Sequence, residues 1–260
     1  MTAGLGTTLI ERRYNNPTRL NLHRRGLNPG RGSGSLSDMR TALIAGGSGL
    51  VGGFLLRQLL ETAEYDRVIA LGRRPVTLTH PRLVQVTAEF TGLDKVTADL
   101  QCTDAFCCLG TTIRLAGSRE AFRAVDHAAV LAFAWAARRN GAGRFFVVTS
   151  LGANSGSQFF YNRVKGETEE ALEVLDFGTL GLFRPSLLLG PRAKTRLGER
   201  FGAALMWLAD PLMFGALRKY RAVDAEVVAR AMVRCSFGRP GQGVLIFRSD
   251  EIQDLGGFGQ

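Results

Sequence analysis

No apolar run in this sequence is long enough to cross a bilayer. The most apolar stretch toward the C-terminal end, FGAALMWLADPLMFGAL, is cut by Asp210 and Pro211 after nine residues, whereas a spanning helix needs about twenty. No membrane span is therefore expected. Cysteine is scarce as well. Cys102, Cys107, Cys108 and Cys235 have no pairing pattern and follow no secretory signal, which argues against a disulfide framework and for free thiols in a reducing compartment, the cytoplasm by default. The three histidines, His23, His80 and His127, share no ligand spacing, so no metal site is expected. His127 reads as a helix-surface residue. No motif recurs at intervals of about 20 to 50 residues, which excludes a repeat array.

What is present is a globular composition: of 260 residues, 45% are hydrophobic and 22% charged, enough for one large core. The formal charge of +10 is unevenly spread, because residues 1–38 hold six arginines against Glu11 and Asp38, which is +4 and leaves +6 for the rest. Gly, Ser, Asn and Pro run through that segment without a period, so it is expected to be a disordered extension. It fits an upstream translation start with the functional protein beginning at Met39, an Arg-rich and acid-poor transit peptide that would give a mitochondrial address, or a nucleic-acid-binding arm. Its arginines lack interleaved aromatics, and no specific nucleic-acid partner is expected.

From Met39 onward, short apolar runs alternate with amphipathic stretches of helical length, the signature of a parallel sheet covered on both faces. TALIAG (41–46), RVIALG (67–72), RLVQVTA (82–88), AFCCLG (105–110), RFFVVTS (144–150), GTLGLFR (178–184) and GVLIF (243–247) read as strands. LVGGFLLRQLLE (50–61), a long segment from Ser118 to Asn140 stopped by Gly141, a stretch near 199–209 and DAEVVARAMVRCSF (224–237) read as helices, as does the segment that carries FFYNRVKGE. The fold class is α/β: a Rossmann-type doubly wound parallel sheet with a small C-terminal substrate-side region from about residue 185.

At the first strand-to-helix junction, AGGSGLVGG sets Gly46, Gly49 and Gly52 at G-x-x-G-x-x-G spacing, with Ser48, Leu50 and Val51 between them. Glycine there permits a tight turn, close approach of backbone to a pyrophosphate, and close packing of helix on strand. The helix that follows aims its unpaired N–H groups at the phosphates. The second strand ends in LGRRP, and no Asp or Glu occurs between Asp66 and Glu89. A free ribose 2'-OH calls for a carboxylate at this point and a 2'-phosphate for arginine, so Arg73 and Arg74 favour NADP(H), with NAD(H) the weaker alternative. Ligands bind outside the C-terminal ends of such strands. Those ends offer Leu109, Gly110 and Thr111 in CCLGTT, Thr149 and Ser150 in VVTSLGA, and Arg184 in FRPS.

AGGSGLVG, CCLGTT, EAFRAVD, TSLGANSGSQFFYNRVKGETE and FRPSLLLGPR together resemble the short-chain dehydrogenases, specifically their atypical branch related to the Tat-interacting oxidoreductase, over about residues 40–250. The resemblance implies that Tyr161 of Y-x-x-x-K handles the proton on a substrate oxygen. It implies that Lys165 holds the nicotinamide ribose and assists the tyrosine, and that a strand-end hydroxyl orients the carbonyl. Ser150 is the first choice for that hydroxyl and Thr149 the second, since Ser155 and Ser157 suit a turn and an N-cap. The main branch has an asparagine in its central helix, linking the lysine through water to solvent, where this chain has Asp126. A carboxylate there changes the proton route or stands by. Two functions remain open: an oxidoreductase acting on an unknown carbonyl or alcohol, and an NADP(H)-binding sensor that works through a protein partner. Residues 185–222, with Trp207, are expected on the substrate side, their apolar residues lining a hydrophobic substrate, forming core under a short lid, or burying in a homodimer face. Phe159 and Phe160 are expected to pack at the helix start and Glu167 to be solvated.

Overall fold

The structure, a computed structural model, describes residues 39–93, 97, 100–190, 215–239 and 241–257. The expectations for residues 1–38 and for the stretch near 199–209 with Trp207 lie outside the described residues.

Seven strands form the main sheet: β1 (Thr41–Ala45), β2 (Arg67–Gly72), β3 (Leu83–Thr87), β4 (Asp104–Cys107), β5 (Arg144–Val148), β6 (Thr179–Arg184) and β9 (Gly243–Arg248). Their order is β3-β2-β1-β4-β5-β6-β9, and every pairing is parallel. Connections run outward from β1 on one side and from β4 on the other. The crevice between those two strands is thus the topological switch point of a doubly wound Rossmann-like sheet. Two short strands, β7 (Leu188–Leu189) and β8 (Val223–Asp224), pair with each other apart from it.

The helices are α1 (Leu50–Glu61), α2 (Ile113–Ala116), α3 (Arg119–Arg123), α4 (Val130–Arg139), α5 (Phe160–Glu173), α6 (Ala225–Ser236) and α7 (Ser249–Gly257). The strands read as unbroken apolar runs because both faces are covered. Adjacent Phe145 and Phe146 of β5 show this alternation. Phe145 stacks on Phe177 at 4.9 Å between ring centroids, and Phe146 stacks on Phe106 at 5.2 Å.

Several boundaries differ from the sequence reading. β4 ends at Cys107 rather than at Gly110: the ladder closes with Cys108 N donating to Ala45 O, and the chain then bends away over Gly46. The helix expected from Ser118 to Asn140 does begin at Ser118, whose hydroxyl accepts from Ala121 N at 3.0 Å, and it stops before Gly141 at φ +90°. Between α3 and α4, however, it widens into a π-helical turn, Ala124–Ala129. Helix α7 and the β7/β8 pair were not anticipated.

At the N-terminal ends of the strands, away from the crevice, fully buried Asp104 lies between two arginines. Arg144 Nε donates to Asp104 Oδ1, and Arg40 donates to Oδ2 at 3.1 Å. Both guanidinium groups also donate to the Ser236 carbonyl, and Arg40 covers the Tyr65 ring.

The four cysteines are free thiols. Burial pushes Cys102, Cys107 and Cys235 each up to about 12, which leaves almost no thiolate at neutral pH. These three thiols should therefore stay unreactive toward a disulfide reagent at pH 8 until the chain unfolds. A thiol titration with and without denaturant reads this.

Candidate functional site

The β1–α1 turn is closed by backbone alone. Gly46 has φ +83°, and a Cβ there would lie 2.6 Å from the Cys108 carbonyl, so no other residue fits. A Cβ on Gly52 would fall 2.0 Å from Gly46 O, which is the close helix-on-strand packing that the spacing predicted. Gly49 donates its N–H to Gly46 O at 2.9 Å and serves as the α1 N-cap without any side-chain capping bond. The N–H groups of Leu50, Val51 and Gly52 therefore face outward at the positive end of a helix of 12 residues. Such a terminus takes phosphate, and Ser48 stands exposed beside it.

Arg73 and Arg74 follow β2, both exposed. Their loop is tied down by Gln85 of β3, whose amide oxygen accepts from Val76 N at 2.8 Å and whose nitrogen donates to Leu78 O. A methyl on Gly47 would lie 3.7 Å from Val76 Cγ1, so this loop borders the glycine turn.

Helix α5 brings Tyr161 and Lys165 onto one face, four residues apart. Tyr161 packs against buried Phe122, ring centroids 5.3 Å apart. Lys165 is 4% exposed, and its Nζ lies 2.7 Å from Oδ1 of Asp126, which is fully buried. Asp126 Oδ2 accepts from the backbone N–H of Thr111 at 2.8 Å. Gly110 closes over the pair, since a Cβ there would lie 3.4 Å from Asp126 Oδ1 and 3.8 Å from Lys165 Nζ. Asp126 lies within the π turn, and its main-chain carbonyl accepts from Thr168 Oγ1 of α5 at 3.0 Å. Burial by itself would push the Lys165 ammonium down, but Asp126 and then Tyr161 more than offset it and hold the ammonium above the ordinary lysine range. By linkage, the stability from this contact is fully present below the unfolded lysine value and is lost as pH rises through the higher folded one.

Of the two candidate hydroxyls, Thr149 is already engaged. Its Oγ1 donates to Glu169 Oε1 at 2.6 Å. Ser150 Oγ is buried and bonds to no described residue. Arg184 donates Nε to Glu169 Oε1 at 3.0 Å and its terminal nitrogen to Oε2. Its guanidinium is thus committed to a carboxylate rather than open toward the crevice. Burial pushes the Glu169 carboxyl up, against the pull of Arg184. Glu169 was missed in the sequence. The signal was its position eight residues after Tyr161 and four after Lys165, on the same helix face.

The remaining expectations divide. Ser155 bonds to Glu170, while Ser157 accepts from Phe159 N at 3.2 Å in a turn and does not cap the helix, whose N-cap is Phe159. Phe160 packs near Phe122, but Phe159 is 75% exposed. Glu167 pairs with Arg123, and His127 is half-buried against Thr168 at 3.0 Å. Among the described residues no group of His, Cys, Asp and Glu could hold a metal ion, and no helix is long and apolar enough to cross a membrane.

A glycine cradle at the switch point of a parallel sheet, with a Tyr/Lys pair at the strand ends, defines a dinucleotide-binding Rossmann protein. Comparison with known proteins agrees. A family model described as NAD(P)H-binding matches residues 46–174. Protein HTATIP2 of Rattus norvegicus is 36% identical over 226 residues, 84% of this chain and 89% of that protein. A protein named fmp52, mitochondrial, from Aspergillus clavatus is 30% identical over 204 residues, 75% of this chain and 86% of that protein. Among solved structures, MoeE5 in complex with UDP-glucose and NAD has a TM-score of 0.60 at 16% identity, covering 84% of this chain and 82% of that one. The Bordetella bronchiseptica enzyme WbmH in complex with NAD+ has a TM-score of 0.61 at 18% identity, covering 81% and 76%. These two likenesses bear on the fold. The chain belongs to the atypical short-chain dehydrogenase family of NAD(P)-binding Rossmann proteins related to the Tat-interacting oxidoreductase.

Proposed function

We propose that this protein is an NADP(H)-dependent oxidoreductase that interconverts a carbonyl and an alcohol. The observation that carries the reading is the buried ammonium of Lys165, fixed by Asp126 one helical turn from Tyr161 at the mouth of a cradle built for phosphate. The cradle fits the cofactor, since neither Gly46 nor Gly52 leaves room for a methyl and the α1 N–H groups face outward. Leu50, Val51 and Gly52 hold the pyrophosphate, with Ser48 beside them. Arg73 and Arg74 grip the 2'-phosphate, Leu109 to Thr111 border the dinucleotide, and Lys165 holds the nicotinamide ribose. When bound, the nicotinamide gives or takes a hydride.

Tyr161 Oη then gives its proton to the substrate oxygen in reduction and takes it back in oxidation. Ser150 Oγ, which has no hydrogen-bond partner among the described residues, donates a hydrogen bond that orients the same oxygen. Arg184, held by Glu169, serves as a wall of the site rather than as a phosphate ligand.

The test combines a fluorescence titration of NADPH and NADH with NADPH consumption over a panel of aldehydes and ketones. NADPH should bind more tightly than NADH. Arg73→Ala should raise the NADPH Kd by about 10 to 100-fold, the worth of one or two charge-assisted hydrogen bonds, while changing the NADH Kd less than about threefold. Equal losses for both cofactors would refute the 2'-phosphate role. Tight NADPH binding with no consumption on any carbonyl would instead favour a sensor that acts through a protein partner. For location, the free thiols suggest the cytoplasm and the arginine-rich residues 1–38 suggest mitochondria, the compartment named for the fmp52 relative. A fluorescent fusion carrying residues 1–38 separates the two.

A further inference from the structure

We infer that Asp126 is a positioning residue that closes the inner side of Lys165, so that Tyr161 exchanges its proton only through the open face of the site. The inference rests on the roles proposed above for Tyr161 and Lys165.

Asp126 is fully buried: its Oδ2 accepts from the Thr111 N–H at 2.8 Å, and its Oδ1 faces Lys165 Nζ at 2.7 Å as an ion pair without hydrogen-bond alignment. The groups around the pair come from every neighbouring element. Gly110 covers it from the end of β4, and the un-ionised Cys107 thiol faces it from β4 itself. On α5, Tyr161 lies toward the mouth and Glu169 away from it, the latter already occupied by Thr149 and Arg184. Behind Asp126, Thr168 Oγ1 donates to its main-chain carbonyl at 3.0 Å and meets half-buried His127 Nδ1 at 3.0 Å, and among the described residues Asp126 is the one ion-pair partner of Lys165.

An asparagine in the central helix, as in the main branch of the family, offers the lysine a neutral partner and a water link to solvent. A carboxylate in direct contact does the opposite. It keeps the lysine charged and immobile, because giving up a proton would leave a buried anion unpaired. Lys165 then acts as a fixed cation that holds the ribose and does not relay protons.

The experiment uses the full chain with nitrogen-15 in its lysine side chains. The sequence has four lysines, so at most four ammonium signals arise, and Lys165→Met assigns one by its loss. The Lys165 ammonium protons should exchange with water at least about tenfold more slowly than those of the other lysines. In Asp126→Asn the exchange should quicken by a similar factor, and the pH at which Lys165 titrates should fall by about one unit or more. Exchange in the unmodified protein as fast as at the other lysines would overturn the inference, as would an Asp126→Asn protein with neither change. Should that variant fail to fold, the unmodified chain still decides through its own exchange rate. An NADPH titration on the same samples keeps the two proposals apart. Slow exchange without NADPH binding defeats the proposed function alone, and fast exchange with intact NADPH binding defeats this inference alone.

Discussion

Tyr161→Phe should lower kcat by about 10²- to 10⁴-fold on any carbonyl that consumes NADPH, while leaving the NADPH Kd within about twofold. The variant removes one oxygen and nothing else of the packing. The ring remains against Phe122, with centroids 5.3 Å apart in the native protein, and Lys165 keeps its contact with Asp126 at 2.7 Å. Cofactor contacts assigned to the cradle and to the arginines after β2 are untouched. The split between an intact Kd and a lost kcat is therefore the signature of a proton donor, since a loss of packing would weaken both. Retention of full activity would remove Tyr161 from the chemistry and, with it, the proposed mechanism.

The second large effect concerns stability. Asp104→Asn should destabilise the protein by about 3 to 5 kcal/mol, because it removes one member of a buried charge network and leaves two cations facing an amide. For a chain of this size that corresponds to a fall in Tm of roughly 6 to 20 °C. Asp104 is fully buried, pairs with Arg40 and Arg144, and also accepts from Thr103 Oγ1 at 2.9 Å. Since this network lies at the N-terminal ends of β4 and β5, NADPH binding measured well below the transition should be unchanged. Calorimetry beside an NADPH titration checks both statements. A Tm within about 2 °C of the unmodified protein would show that the network is held by its surroundings rather than holding them.

The sheet was legible because a parallel strand covered on both faces must be an unbroken apolar run, as in Arg67–Gly72, which matches the sequence reading residue for residue. Helix α1 was equally plain, bounded by glycine at one end and carrying its leucines at helical spacing. The cradle was legible for a different reason: its glycine spacing is a local pattern, and Gly52 is required by Gly46 six residues before it, although Gly46 itself is required by the Cys108 carbonyl at the end of a neighbouring strand. What stayed hidden depends on contacts between distant segments. Asp126 falls four residues after Phe122 and four before Val130, an acid in an otherwise apolar stripe. The stripe marks it as unusual, but only the fold shows that Lys165, 39 positions later, is its partner. The π turn leaves no local trace either, because it is stabilised from across the interface by Thr168. Arg184 shows the same dependence on distant contacts. Its place at a strand end suggested a ligand contact, whereas Glu169, invisible as a partner until α5 packs on β6, claims it first.

The floor of the crevice, where the turn at Gly46 presses on the Cys108 carbonyl and Gly52 presses on Gly46, has a bearing on how this protein can change over time. With no room for a methyl at two of its three glycines, drift at the floor is closed off by sterics alone. Under the proposed role of Arg73 and Arg74, a shift in cofactor choice falls to the exposed loop after β2, where both side chains stand clear of the sheet. A designer who wished to retarget this scaffold would face the same partition, with a floor to be left alone and a rim open to revision.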